Sequence, residues 1–132
     1  MVILKGYKVS KMSIENRVQG NTELKLQNTL NYNVNYAEDD KKCWGIVNFS
    51  INDANGMPFN VTVDMVAEFT YEDGDEKPFI HTTSFDSVFP YLRMLVTNLT
   101  SNSGMPGLII PIMKLNPNTV RVESKKETSP LN

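Results

Sequence analysis

The chain has 132 residues, 40% of them hydrophobic and 21% charged, which fits one globular domain able to bury a core without disulfides or metal. Its net charge of −2, with 13 Lys and Arg scattered along the sequence, lacks the basic footprint selected by nucleic acid or an anionic membrane surface. The single cysteine, Cys43, cannot close an internal disulfide and points to a reducing compartment.

No apolar run approaches the length that spans a bilayer. The first eleven residues lack the charged start, long apolar core and cleavage site of a signal peptide. A cytoplasmic location is therefore expected. On that expectation the Asn-x-Ser/Thr sequences at Asn48, Asn60 and Asn98 are coincidental, because glycosylation needs the secretory route.

Residues 2–15 read as a strand. Tyr7 and Val9 share one parity, Met12 and Ile14 the other, so a bulge is expected near Ser10 and Lys11. Residues 16–22 form a polar break. Residues 23–36 alternate, with Leu24, Leu26, Leu30, Tyr32, Val34 and Tyr36 on one face, a strand period. After the turn "AEDDKK", residues 43–52 form a third strand with Val47, Phe49 and Ile51 on one side and Trp44 and Ile46 on the other. The Asn-Gly pair in "DANG" is a strong hairpin signal. Residues 59–71 alternate most cleanly: Phe59, Val61, Val63, Met65, Ala67, Phe69 and Tyr71 oppose a polar face broken only by Val66. The pattern predicts an antiparallel sheet with one dry and one wet face.

"EDGDEKP" reads as an acidic turn and residues 79–87 as irregular. Ser87 is the expected cap of a helix whose first turn holds Pro90. Val88, Tyr91, Leu92, Leu95 and Leu99 form its apolar stripe; Arg93, Thr97, Asn98 and Thr100 fall largely opposite, and Gly104 is the expected stop. The next loop is unusual, with Leu108, Ile109, Ile110, Ile112 and Met113 broken by Pro111. Loops normally run over the surface and are polar. This one either lids the dry sheet face or touches a partner. Beyond it, residues 117–132 read as a short extended piece and a disordered tail, with no helical apolar period.

Chemistry is sparse. Cys43 and the single His81 cannot supply four zinc ligands, and the acidic group Glu72, Asp73, Asp75 and Glu76 lacks the spacing of a calcium loop. "SNSGMPG" lacks the lysine of a phosphate loop. Cys43 beside Trp44 reads as a small core or edge residue. No metal, cofactor or catalytic residue is expected, and an enzyme is not the expected class.

The segment "SVFPYLRMLVTNLTSNSGMPGLIIPIM" resembles the SecB export chaperones. Phe89, Pro90, Tyr91 and Arg93 match that family's helix start, and Gly104, Pro106, Leu108 and Pro111 its turn and apolar loop. "GYKVSKMSIEN", "ELKLQNTLNYNVNY", "CWGIVNFSINDANG" and "FNVTVDMVAEFTY" are similar to its four strands in length and order. The resemblance implies an α+β fold over residues 1–116, a four-stranded antiparallel sheet followed by one long helix, with the second helix short or missing. It implies an ATP-independent holdase for unfolded polypeptides, with a client groove at Met105, Leu108, Ile109, Ile110, Ile112 and Met113. It implies a homo-oligomer, a dimer or tetramer, with Tyr7, Val9, Tyr91, Leu92, Leu95 and Leu99 at subunit contacts. The family meets the SecA motor through acidic residues on the sheet face. Here Lys11 and Thr62 replace two of these and Glu15 alone remains, so SecA is the weaker partner expectation. A dedicated chaperone for one client, such as an antitoxin, fits these departures better.

Overall fold

The computed structural model describes residues 1–19 and 23–111. Four strands, β1 (Ile3–Asn16), β2 (Leu26–Ala37), β3 (Lys42–Asp53) and β4 (Phe59–Thr70), precede one long helix, α1 (Lys77–Ser101). All neighbours pair antiparallel in the order β1-β4-β3-β2. Among the described residues there is no second long helix. This is the expected fold class.

The sheet is held by its alternation. On β4, Phe59, Val61, Val63, Met65, Ala67 and Phe69 are all fully buried, and each large side chain so buried stabilises by ~1.5–3 kcal/mol. Their cross-strand partners Cys43, Val47, Phe49 and Ile51 on β3 share the dry face. The β1 bulge falls where the parity change required it: the register shifts between Val9 and Lys11. A second shift between Leu4 and Gly6 was not anticipated. Together they bring Leu4, Tyr7, Val9, Met12 and Ile14 opposite Phe69, Ala67, Met65, Val63 and Val61, all on the dry side.

The two sheet edges differ. β1 carries Lys5, Lys8 and Lys11 and both register shifts. β2 carries no charged residue and no proline, and pairs with β3 without interruption. The first pattern is the ordinary way of blunting an edge.

The face away from α1 is mostly polar, yet Val66 is explained there. It lies opposite Ile46, one step from Trp44. Trp44 is only 5% exposed, and its indole N–H has no hydrogen-bond partner among the described residues.

The helix start differs from the sequence expectation. α1 begins at Lys77, ten residues before Ser87, with Pro78 in its first turn and Pro90 in its interior. Residues 79–87 look irregular because Thr and Ser obscure the period. Their hydroxyls instead bond back into the helix: Thr82 Oγ1 donates to Pro78 O at 3.2 Å, Ser84 Oγ to His81 O at 3.1 Å and Ser87 Oγ to Thr83 O at 3.1 Å. Ile80 and Phe85 then enter the core with Val88, Phe89, Leu92 and Val96. Pro90 is exposed, where water can serve the backbone that its missing N–H leaves behind.

Two local devices fix the sheet. Asp53 accepts from Lys25 N at 2.7 Å, Asn55 N at 3.1 Å and Met57 N at 2.9 Å, tying the β3–β4 turn to the start of β2. These bonds hold its carboxyl below the usual range. Gly45 lets Tyr32 lie across β3: a Cβ there would sit 2.3 Å from the Tyr32 hydroxyl oxygen. Tyr32 in turn hydrogen-bonds Ser84 of α1 at 2.6 Å, docking helix on sheet. Gly45→Ala must displace this ring, and overpacking of this kind costs ~1–3 kcal/mol. Urea unfolding is expected to register that loss, and a smaller one when Tyr32 is already Leu; an equal loss in both backgrounds would refute the clash.

Candidate functional site

The apolar loop leaves α1 through Asn102 and turns at Gly104, whose φ of 88° suits glycine. It then runs back along the helix. Thr97 Oγ1 donates to Leu108 O at 2.7 Å, Leu108 N donates to Thr100 Oγ1 at 2.8 Å, and Arg93 Nε donates to Ile110 O at 2.8 Å. Gly107 lies so close that a Cβ would be 3.0 Å from Thr97 Cγ2 and 3.1 Å from Thr97 O.

This seating separates the loop side chains. Ile110 is 2% exposed and joins the core, whereas Ile109 is 71% exposed. Met105 and Leu108 are half-buried against the core. Ile112 and Met113 lie outside the described residues, as does the tail beyond them. A cleft of about 120 Å³ opens beside the loop, lined by Leu26, Asn28, Ile51, Leu108, Ile109 and Ile110. The loop therefore lids the core through Ile110 and leaves one apolar side chain, Ile109, pointing outward.

The residues expected at subunit contacts divide as well. Leu92 is fully buried within the chain itself. Val9, Leu95 and Leu99 are half-buried. Tyr7 and Tyr91 are exposed, with ring centroids 5.0 Å apart, and Met12 and Met94 are exposed too. Glu15 is exposed on the opposite sheet face, 3.7 Å from the Arg17 guanidinium. Lys11 lies opposite Asp64, and Thr62 opposite Ser13, so this face mixes both signs.

The reactive groups sit in packed settings. Burial pushes the Cys43 thiol up to about 12, far from the thiolate form that nucleophilic chemistry uses. Burial also lowers the imidazole of His81, which packs edge-on to Tyr32 at 5.1 Å. The buried Ser84 hydroxyl meets the His81 backbone carbonyl. Among the described residues no group of three or more His, Cys, Asp and Glu could hold a metal. In the acidic turn, Asp73 pairs with Lys41 at 2.8 Å and Asp75 accepts from Glu72 N at 2.9 Å. No described helix is long and apolar enough to cross a membrane.

Sequence reasoning missed Arg93, Thr97 and Thr100, which it read as the polar side of the helix. Their spacing of four and three beside an uncharged loop was the available signal.

No protein-family model matches the chain, and no curated protein does either. Solved structures do. The Mycobacterium tuberculosis Rv1957 SecB-like chaperone, in complex with a ChAD peptide from the Rv1956 HigA1 antitoxin, superposes with a TM-score of 0.70 at 14% identity, covering 86% of this chain and 90% of that one. A Streptococcus agalactiae protein of unknown function covers 85% of this chain and 98% of its own at 13% identity, with a TM-score of 0.49. The chain thus has the SecB-like fold.

The burial of Cys43 has a direct readout. In the native protein iodoacetamide is expected to leave it unmodified over hours at pH 8, with rapid modification in urea, as mass spectrometry would record. Rapid native modification would refute that burial.

Proposed function

We propose that this chain is a polypeptide-binding chaperone that holds an apolar segment of a client beside the loop that follows α1, and that its client range is narrow. The observation that carries this reading is Ile109. A large aliphatic side chain is 71% exposed on a backbone that three hydrogen bonds restrain, next to a cleft floored by Leu26 and Ile51. A rigid, exposed apolar side chain loses little entropy on binding and gains from every carbon that it buries. The SecB-like fold supports a chaperone, and the neighbour that shares it holds an antitoxin peptide. The mixed charge of the opposite sheet face, with Glu15 as the remaining acid of the expected set, favours a dedicated client over a partnership with SecA.

We further propose that Tyr7 and Tyr91, with Met12 and Met94 nearby in sequence on the same two elements, meet a second copy. Two tyrosines in tilted ring contact, left exposed between an edge strand and the helix, suit an interface better than solvent.

The first reading is tested by anisotropy titration of a labelled, permanently unfolded polypeptide and of an antitoxin-derived peptide. Ile109→Asp is expected to weaken binding at least about tenfold, given ~1.5–3 kcal/mol for one buried isoleucine, with an unchanged circular dichroism spectrum. Unaltered affinity would remove Ile109 from the site. Ile110→Asp is the contrasting variant: it buries a charge in the core, and its expected result is loss of the fold.

The second reading is tested by sedimentation. The wild-type chain is expected to sediment as a dimer or larger, and the Tyr7→Glu, Tyr91→Glu pair as a monomer. A wild-type monomer at high micromolar concentration would end the interface proposal.

A further inference from the structure

The loop contains a degeneracy that hydrophobic burial cannot resolve. Ile109 and Ile110 are the same side chain, yet one is exposed and the other is core. Exposure switches between these neighbours, so a slip of one residue would exchange the pair. Either isoleucine would fill the core equally well, and transfer free energy alone does not choose between them. Something directional must.

The directional contacts come from one ridge of α1. Arg93, Thr97 and Thr100 recur at spacings of four and three and so share a face. Thr97 gives its proton to Leu108 O and Thr100 receives the Leu108 N–H, so the peptide groups of one residue are gripped on both sides. Thr100 Oγ1 also donates to Val96 O at 2.8 Å, which fixes the direction of its lone pairs. Arg93 fixes the carbonyl two residues on. Gly107 allows the approach, since any side chain there would strike Thr97.

We propose that Arg93, Thr97 and Thr100 are positioning residues that set the register of the apolar loop, and that they thereby select Ile109 as the side chain offered to a client. The proposal rests on the client-binding reading for its second half only. The register itself is a property of the free chain. Losing the hydroxyls leaves a choice between two isosteric burials, so both isoleucines sample both sites.

The test uses the full chain with isoleucine methyls labelled for NMR and a soluble paramagnetic agent. In the wild type the Ile109 methyl is expected to be strongly relaxed and the Ile110 methyl shielded. In Thr97→Val, Thr100→Val the two methyls converge, and the affinity for a labelled, reduced and carboxymethylated polypeptide falls at least about tenfold. Thr97→Ser, Thr100→Ser keeps the hydroxyls and is expected to keep both the methyl contrast and an affinity within about twofold. Thr97→Val alone, at a half-buried position, carries the same comparison should the double variant fold poorly. An unchanged methyl contrast in the valine variants would overturn the register assignment. Equal losses in the serine and valine pairs would overturn it too, because packing rather than hydrogen bonding would then be responsible. A wild type that binds no probe, while the valine pair loses its contrast, overturns the client half and sustains the register half.

Discussion

One helix is too narrow for the sheet that it covers. Four strands spaced ~4.8 Å apart make a face about 19 Å wide, and a strand of 12 residues is about 40 Å long. A helix of 25 residues is about 37 Å long and ~10 Å across with its side chains. α1 can therefore shield roughly half of an apolar face that β4 lines without a break. The remaining cover must come from elsewhere. Part comes from Ile110 and the loop that carries it, and part from Tyr32 and Tyr36 leaning inward from β2, with Tyr32 meeting His81 and Phe85 of α1. Tyr7 and Tyr91 stay exposed at the β1 side of this face. This geometry explains why a segment without secondary structure is so apolar here, and why it is pinned rather than loose.

The sheet was legible because period two survives every local disturbance. The bulge near Ser10 announced itself as a parity change between Val9 and Met12, and Val66, which broke the polar face of β4, meets Ile46 across the strands. The start of the helix was not legible. Its first eleven residues contain Thr82, Ser84 and Ser87, whose hydroxyls satisfy themselves on helical carbonyls; a pattern read on apolar spacing sees only a gap. Pro90 compounded this, since proline more often opens a helix than sits inside one. In the loop, composition identified the segment but not its orientation. Adjacent identical isoleucines carry no information about which is inside, and the polar side chains that hold the loop lie ten to seventeen positions before Ile110.

The sheet face away from α1 and the two edges complete the comparison with the SecB-like fold. Lys11, Asp64 and Glu15 place both charge signs there, an arrangement that neither attracts nor repels a strongly basic surface as a purely acidic face would. The edges are unequal by chemistry. β1 is blunted by lysines and two irregularities, while β2, the strand beside the cleft, presents an uncharged and regular backbone. The cleft beside the loop and the unblunted edge lie on the same side of the molecule.

Trp44 is the only tryptophan in the chain, and it sits on the far side of the sheet from α1 and the loop. Its indole is buried and its N–H lacks a partner among the described residues, a setting in which blue-shifted emission is expected. The protein thus contains a built-in optical probe whose signal follows the integrity of β3 and its neighbours and is separated by the sheet from events at Ile109. Tryptophan fluorescence is therefore expected to report folding of this molecule rather than changes around Ile109.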